Sequence, residues 1–185
     1  MLLLYSKGPG GRQYEPIRGR TRLMKMVFLF EKELRPKFRL SSAVPAGAIP
    51  DFKPYDYGPF SSDVFSDLEF LVELGFVQVR RLGDEAGAEE QSEYEYWQAA
   101  GADRELEEGP VYEEEFSLTP LGRDFVEDRE AATLTTAQWA ALDDFKSRCL
   151  KFPLRALLRY VYMKYPSMTT QSRIRDKVVP QKEAF

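Results

Sequence analysis

Histidine is absent from this 185-residue sequence, and cysteine occurs once, at Cys149. Without an imidazole there is no Ser-His or Cys-His pair, no histidine metal site, and no side chain whose unperturbed pKa lies near neutrality. A lone cysteine excludes an internal disulfide and indicates a reducing compartment. These absences exclude most hydrolytic chemistry, and the sequence offers no catalytic residue, no metal site and no cofactor to assign.

Long apolar runs are also missing, because none approaches the roughly 20 residues that a membrane helix needs. The opening Met1–Tyr5 segment is too short for the apolar region of a signal peptide. A hydrophobic fraction of 43% with 14% aromatic residues is typical of a globular domain. We therefore expect a soluble, cytoplasmic protein without a membrane partner, and no small-molecule substrate is evident.

Charge is strongly segregated along the chain, although the net charge is only -4. Residues 1–50 hold ten Lys/Arg and three Asp/Glu, residues 51–150 hold eight and twenty-five, and residues 151–185 hold eight and two. Both ends are basic and the middle is acidic. Each predicted surface therefore has to be considered with its own charge.

Apolar periodicity and turn residues predict helices interrupted by one group of strands. Helical spacing over 21–34 predicts a buried helix, and prolines predict a loop over 36–54. A second helix begins at Ser61 or Ser62 and stops at Gly75. The remaining predicted elements are strands over 76–80, 92–97 and 111–118, helices over 119–126, 136–149 and 153–165, and a polar, partly mobile tail over 170–185.

Three strings stand out in the first two thirds of the chain. They are the run from Gly19 to Leu29, the Tyr57-Gly58-Pro59-Phe60-Ser61 string with its helix ending in Glu73-Leu74-Gly75-Phe76-Val77, and Leu118-Thr119-Pro120-Leu121-Gly122. The first two resemble small prokaryotic proteins related to the Panacea-domain, SocA-like antitoxins, and the third is similar to the Leu-Thr-x-x-Gly string that follows the wing in many winged-helix families. The resemblance implies a regulator or antitoxin, often encoded beside toxins, mobile elements or antiviral defence genes.

The order of predicted elements is helix, loop, helix, strand, long hairpin, strand, helix, which is the order of a winged helix. We therefore predict an α+β, mainly helical fold with a winged helix-turn-helix core over 1–130. An extended acidic β-hairpin wing at 82–115 departs from the family pattern. C-terminal helices over 131–168 and a basic, partly mobile tail over 169–185 complete the expected organisation.

The helix at 61–74 occupies the position from which a winged helix reads DNA. At about 100° per residue, its outward face carries Ser62, Asp63, Ser66, Phe70 and Glu73, flanked by Asp67 and Leu74. Carboxylates repel phosphates, and neutralising phosphate charge is the main source of nucleic-acid affinity. We therefore expect no nucleic-acid binding through this helix.

Phe70 and Leu74 lie outside the apolar stripe that the same helix turns toward the core. In one interpretation the C-terminal helices cover them, since apolar side chains usually find an internal partner. In the other they form an apolar anchor rimmed by Asp63, Asp67 and Glu73. Such an anchor suits a basic-rimmed groove on another protein or on a second copy of this chain.

Basic side chains mark three further places: Arg18, Arg20 and Arg22 near the N-terminus, Arg80 and Arg81 on the predicted wing, and Lys151, Arg155 and Arg159 along the last long helix. Arginine beside aromatic residues is compatible with binding a nucleic-acid backbone. It is equally compatible with pairing to this protein's own acidic segments. The sequence leaves both alternatives open.

Residues 84–115 contain thirteen acidic side chains and one arginine. Such a charge run is typical of a solvated hairpin, and it would also serve as a docking site for a basic partner or as a mimic of nucleic-acid charge. The carboxylates lack the spacing of a calcium loop. We count the segment among the acidic surfaces and assign no metal to it.

These observations favour a non-enzymatic regulatory or adaptor protein, antitoxin-like or defence-associated, that acts through protein–protein binding to a partner or as a homodimer. The alternative is a winged-helix DNA-binding transcriptional regulator that uses the basic residues at the chain ends and on the wing.

Overall fold

The computed structural model describes residues 1–82 and 113–179 as an α+β structure that is mainly helical, which confirms the predicted class. The helices are α1 (Leu2–Tyr5), α2 (Arg20–Leu29), α3 (Arg35–Lys37), α4 (Ser62–Glu73), α5 (Pro120–Phe125), α6 (Thr136–Lys151), α7 (Leu154–Lys164) and α8 (Arg175–Val178). The strands are β1 (Ile17–Arg18), β2 (Lys53–Tyr55), β3 (Gly58–Phe60), β4 (Val77–Leu82) and β5 (Glu113–Leu118). The strand predicted over 92–97 and most of the acidic hairpin lie outside the described residues.

The first long helix is continuous through α2, a π-helical turn over Phe30–Leu34, and α3. In the π turn the Arg35 N–H donates to the Phe30 carbonyl. An α-helical turn follows from Arg35, and Pro36, which has no N–H to donate, lies in its first two positions. The prediction that a loop begins at Pro36 is therefore wrong for residues 36–37.

β1, β5 and β4 form an antiparallel sheet in that order, with Ile17 opposite Phe116 and Val77 opposite Leu118. Alternation along the strands puts these apolar side chains on one face. All four are almost fully buried. β2 and β3 form a separate antiparallel hairpin.

α4 and α5 begin and end near their predicted positions. Gly75 terminates α4 with a positive φ of 73° that suits glycine. Thr119 caps α5, since its hydroxyl accepts the Gly122 N–H at 3.1 Å. Ser61 occupies the N-cap position of α4, but its hydroxyl is buried and makes no capping hydrogen bond with any described residue.

The C-terminal helices share one apolar cluster with the sheet and α2. Leu142, Leu158 and Val161 are fully buried in that cluster. Residues 170–179 of the predicted basic tail pack against the fold, since Ile174 and Val178 are buried and the Arg173 N–H donates to the Asp56 carbonyl at 3.0 Å. Within the described ranges, no helix is both long and apolar enough to cross a membrane.

Candidate functional site

α4 turns two sides to different environments. Val64 and Leu68 are buried, whereas the predicted outward side chains are exposed. Phe70 has 59% of its surface exposed and Leu74 has 45%. We call Asp63, Asp67, Phe70, Glu73 and Leu74 the α4 face. The described C-terminal helices leave this face open, in contrast to the interpretation that they cover it.

The carboxylates of the α4 face make no ion pair with a basic side chain in the described parts of the chain. Asp63 Oδ2 accepts the Asp51 N–H at 3.3 Å, and Asp67 and Glu73 are exposed. The face therefore combines uncovered apolar area with negative charge that no cation of residues 1–82 and 113–179 neutralises.

Apolar exposure continues from the end of α4 onto α5. The Phe76 and Phe125 rings lie 4.7 Å apart, and a Cβ built at Gly75 would lie 4.0 Å from Leu121 Cδ2. Leu121 is 54% exposed and Phe125 36%. The sequence analysis missed both, although their i, i+4 spacing after the Thr119 cap would have placed them on one side of a short helix.

Val72, a further apolar residue of α4, is 36% exposed. It lies in the last turn of the helix. A side chain there is covered only if another element packs against that turn. Val72 therefore adds to the exposed apolar area near Leu74.

Three of the predicted basic residues are paired with carboxylates of β5. Arg18 Nε and Arg80 donate to the two oxygens of Glu115, each at 2.8 Å. Arg20 forms a two-pronged ion pair with Glu114. Glu115 is 7% exposed. These contacts tie β1, α2 and β4 to β5, and they engage cations that a nucleic-acid surface would need.

Arg22 contacts the C-terminal end of α6 rather than β5. Its guanidinium donates to the carbonyls of Cys149 at 2.7 Å and Phe152 at 2.8 Å, where α6 ends. Burial raises the pKa of the Cys149 thiol to about 12, so the thiol is protonated at neutral pH.

Arg81 stands opposite Glu114 in the β4–β5 register and is exposed.

We expect Glu115→Gln to lower the free energy of unfolding by about 1–2 kcal/mol, because a neutral amide cannot pair with two guanidinium groups and the exposed ends of Arg18 and Arg80 limit the loss. Urea unfolding at low and high salt would measure it, with the difference shrinking as salt screens the pair. Glu73→Gln, an exposed and unpaired control, should be neutral. Equal effects at both positions would contradict an ion-pair role.

A basic and apolar surface lies at the start and along the outside of α7. Lys151, Arg155 and Arg159 are exposed and make no ion pair within residues 1–82 and 113–179. Phe152 is 53% exposed and Met163 63%. We call these five residues the α7 face. Tyr162 of the same helix is buried, and its hydroxyl is hydrogen-bonded to that of Ser172.

Two lysines that sequence reasoning did not single out are buried. Lys25 Nζ donates to the Pro59 carbonyl at 2.8 Å, and burial lowers its pKa to about 7. Lys146 Nζ donates to the carbonyls of Leu4 and Ser6, and burial lowers its pKa to about 8. An amine whose pKa is near neutrality can act as a base or nucleophile. These two lysines, however, are buried, and each donates its hydrogen bonds to backbone carbonyls.

Among the described residues, no group of three Cys, Asp or Glu side chains is arranged to hold a metal ion. Comparisons with protein-family models, with curated proteins and with solved structures found no match. The α4 face and the α7 face are therefore the two surfaces on which a functional proposal can be built.

Proposed function

We propose that this chain is a non-enzymatic regulatory or adaptor protein that acts through protein–protein binding at the α4 face. The exposure of Phe70 among unpaired carboxylates carries the proposal. An exposed aromatic side chain at the centre of a polar rim is the usual arrangement of an interface anchor. A winged-helix core belongs to the same proposal and is supported by the order of α2, α4, β4, β5 and α5. The antitoxin-like role is proposed on the resemblance of the sequence strings alone.

The occupant that we assign to the α4 face is the α7 face of a second copy. The α4 face joins Phe70 and Leu74 to Asp63, Asp67 and Glu73, and the α7 face joins apolar side chains to cations. The two surfaces are complementary in charge, and each also presents exposed apolar side chains. In a twofold dimer each such contact would occur twice.

Reciprocal charge reversal tests this assignment. One variant carries Asp67→Lys and Glu73→Lys, and the other carries Arg155→Glu and Arg159→Glu. We expect wild type to dimerise in sedimentation equilibrium, each variant alone to be monomeric, and an equimolar mixture to form a heterodimer, because both contacts then regain opposite charges.

Phe70→Arg should also give a monomer, while its melting temperature stays within a few degrees of wild type because the side chain is exposed. Asp176→Lys, which reverses an exposed charge on α8, is the matched control and should remain dimeric. A wild-type chain that is monomeric at all concentrations, or a mixture of variants that stays monomeric, would overturn the second-copy assignment.

The alternative function, DNA binding by a transcriptional regulator, draws its support from the unpaired cations of the α7 face. Arg18, Arg20 and Arg80 are engaged with β5 and contribute little free charge. A gel-shift titration at low and moderate salt separates the two functions. Tight, salt-dependent binding that is lost on Arg155→Glu with Arg159→Glu would favour the regulator.

A further inference from the structure

A cavity of about 220 Å³ lies on the buried side of α4, away from the side chains that form the centre of the α4 face. Its walls come from α1, α2, the turn at Ala46–Ala48 and α4, and they are almost entirely apolar. An apolar cavity of roughly 150 Å³ is enough to admit benzene. This one therefore has room for a single aromatic ring and a short arm.

Two carboxylates, Glu31 and Asp67, are the only charged side chains among the described residues that line the cavity. Glu31 Oε1 accepts from Lys32 Nζ at 3.0 Å. Glu31 Oε2 is buried and has no hydrogen-bond partner in the described structure. A buried carboxylate oxygen without a donor is costly, so a ligand that brought one would gain a charge-assisted hydrogen bond.

Glu31 lies within the π-helical turn over Phe30–Leu34. Such turns are rare among helices, but those that occur are often found at functional sites. Their extra residue redirects a side chain that a regular α-helix would place elsewhere. The cavity, the orphaned oxygen and the π turn are three separate observations, and they coincide at one residue.

From this coincidence we infer that the cavity binds a small monocationic amine with an apolar body about the size of one aromatic ring. The hydrocarbon part fills the apolar walls, and the ammonium donates to Glu31 Oε2. The ligand is defined by this pairing of an ammonium with a compact hydrocarbon. The inference does not depend on the proposed protein–protein binding.

Titration calorimetry with 2-phenylethylamine at neutral pH tests the site, with 2-phenylethanol and 3-phenylpropionate as probes of similar size. We expect the amine to bind at least about tenfold more tightly than the alcohol, since one charge-assisted hydrogen bond is worth that much, and the carboxylate not to bind. Equal binding of amine and alcohol, or no binding of the amine, would overturn the inference.

Two variants locate the site. Glu31→Gln should weaken amine binding to the level of the alcohol and leave alcohol binding unchanged, a selective effect that a merely destabilised fold would not give. Ala48→Trp should abolish binding of both, because Ala48 is exposed yet lines the cavity and a larger side chain can fill it without overpacking the core. Amine binding that survives either variant at full strength would place the ligand elsewhere and refute the assignment.

Phe70→Arg separates this inference from the proposed function. The side chain of Phe70 is absent from the cavity lining. The variant should therefore bind 2-phenylethylamine as wild type does, even though it no longer dimerises. Loss of amine binding in a folded Phe70→Arg protein would show that the ligand occupies the α4 face and that the cavity assignment is wrong.

Discussion

Gly122→Ala is expected to destabilise the protein by about 3 kcal/mol or more, whereas the same change inside an ordinary helix stabilises by roughly 0.5–1 kcal/mol. A Cβ at this position would overlap the Phe76 carbonyl oxygen and lie 2.9 Å from its carbon. The obstacle is backbone, which cannot move aside as a flexible side chain would. Urea unfolding of the purified variant measures the loss.

The close approach at Gly122 comes from the way α5 is joined to the end of α4. The Thr119 N–H donates to the Phe76 carbonyl at 3.0 Å, and the Thr119 hydroxyl donates to the Gly75 carbonyl at 2.5 Å. These bonds hold the first turn of α5 directly over the Gly75–Phe76 peptide. Gly47→Ala is the matched control, because nothing lies within 4 Å of a Cβ there. Equal stability of the two variants would mean that the junction is loose.

The same junction shows what local sequence patterns could predict. The Thr119 cap on the Gly122 N–H and the left-handed turn at Gly75 each involve backbone groups within a few residues, so both are encoded nearby. The outward projection of Phe70 and Leu74 was also predictable, because a regular helix fixes the angle between neighbouring side chains. The boundaries of α4 and the members of its exposed face follow from such rules.

Features that depend on distant parts of the chain were not predictable in this way. Glu115 meets Arg18 across 97 positions in sequence, and only strand order and register bring the two together. The π turn at Phe30–Leu34 is a small adjustment that no periodicity over 21–34 reveals. As a result, the sequence indicated that the basic residues pair with something but could not identify Glu114 and Glu115.

The packing of the C-terminal tail was likewise not predictable from local composition. Residues 170–179 have a polar composition, which favours a mobile segment. Ile174 and Val178 nevertheless supply two apolar side chains one helical turn apart, and these are enough to dock the short helix α8 against the core. The average composition of the segment therefore did not reveal that two suitably spaced apolar residues could pack against the core.

Lys25→Met is the second large effect: we expect a gain in stability of roughly 1–3 kcal/mol at neutral pH and a weaker pH dependence. In the wild type, burial alone lowers the pKa of Lys25 to about 7, against about 10.4 in an unfolded chain. The shift corresponds to about 4 kcal/mol at neutral pH. Leaving the Pro59 carbonyl without its donor offsets part of that gain.

The sign of this pH dependence follows from the number of protons that the folded and unfolded states bind. Between about pH 7 and about pH 10 the unfolded chain holds a proton on Lys25 that the folded chain does not, so wild-type stability rises with pH in this window. Below about pH 7 both states are protonated and this contribution is constant. Lys146, whose pKa burial lowers to about 8, acts in the same direction, so Lys25→Met should reduce the slope without abolishing it.

Guanidinium unfolding at several pH values between about pH 7 and about pH 9 would measure how the free energy of unfolding changes with pH. Each buried lysine is expected to contribute up to about 1 kcal/mol per pH unit to this slope. The upper limit avoids tyrosine ionisation, because hydrogen bonding to Glu127 raises the pKa of the Tyr14 phenol and that group opposes the lysines at higher pH. Lys53→Met, at an exposed site, is the matched control and should leave the slope unchanged. A Lys25→Met protein with wild-type slope and lower stability at neutral pH would show that Lys25 is charged in the folded state and that its ammonium stabilises the contact between α2 and the β2–β3 hairpin.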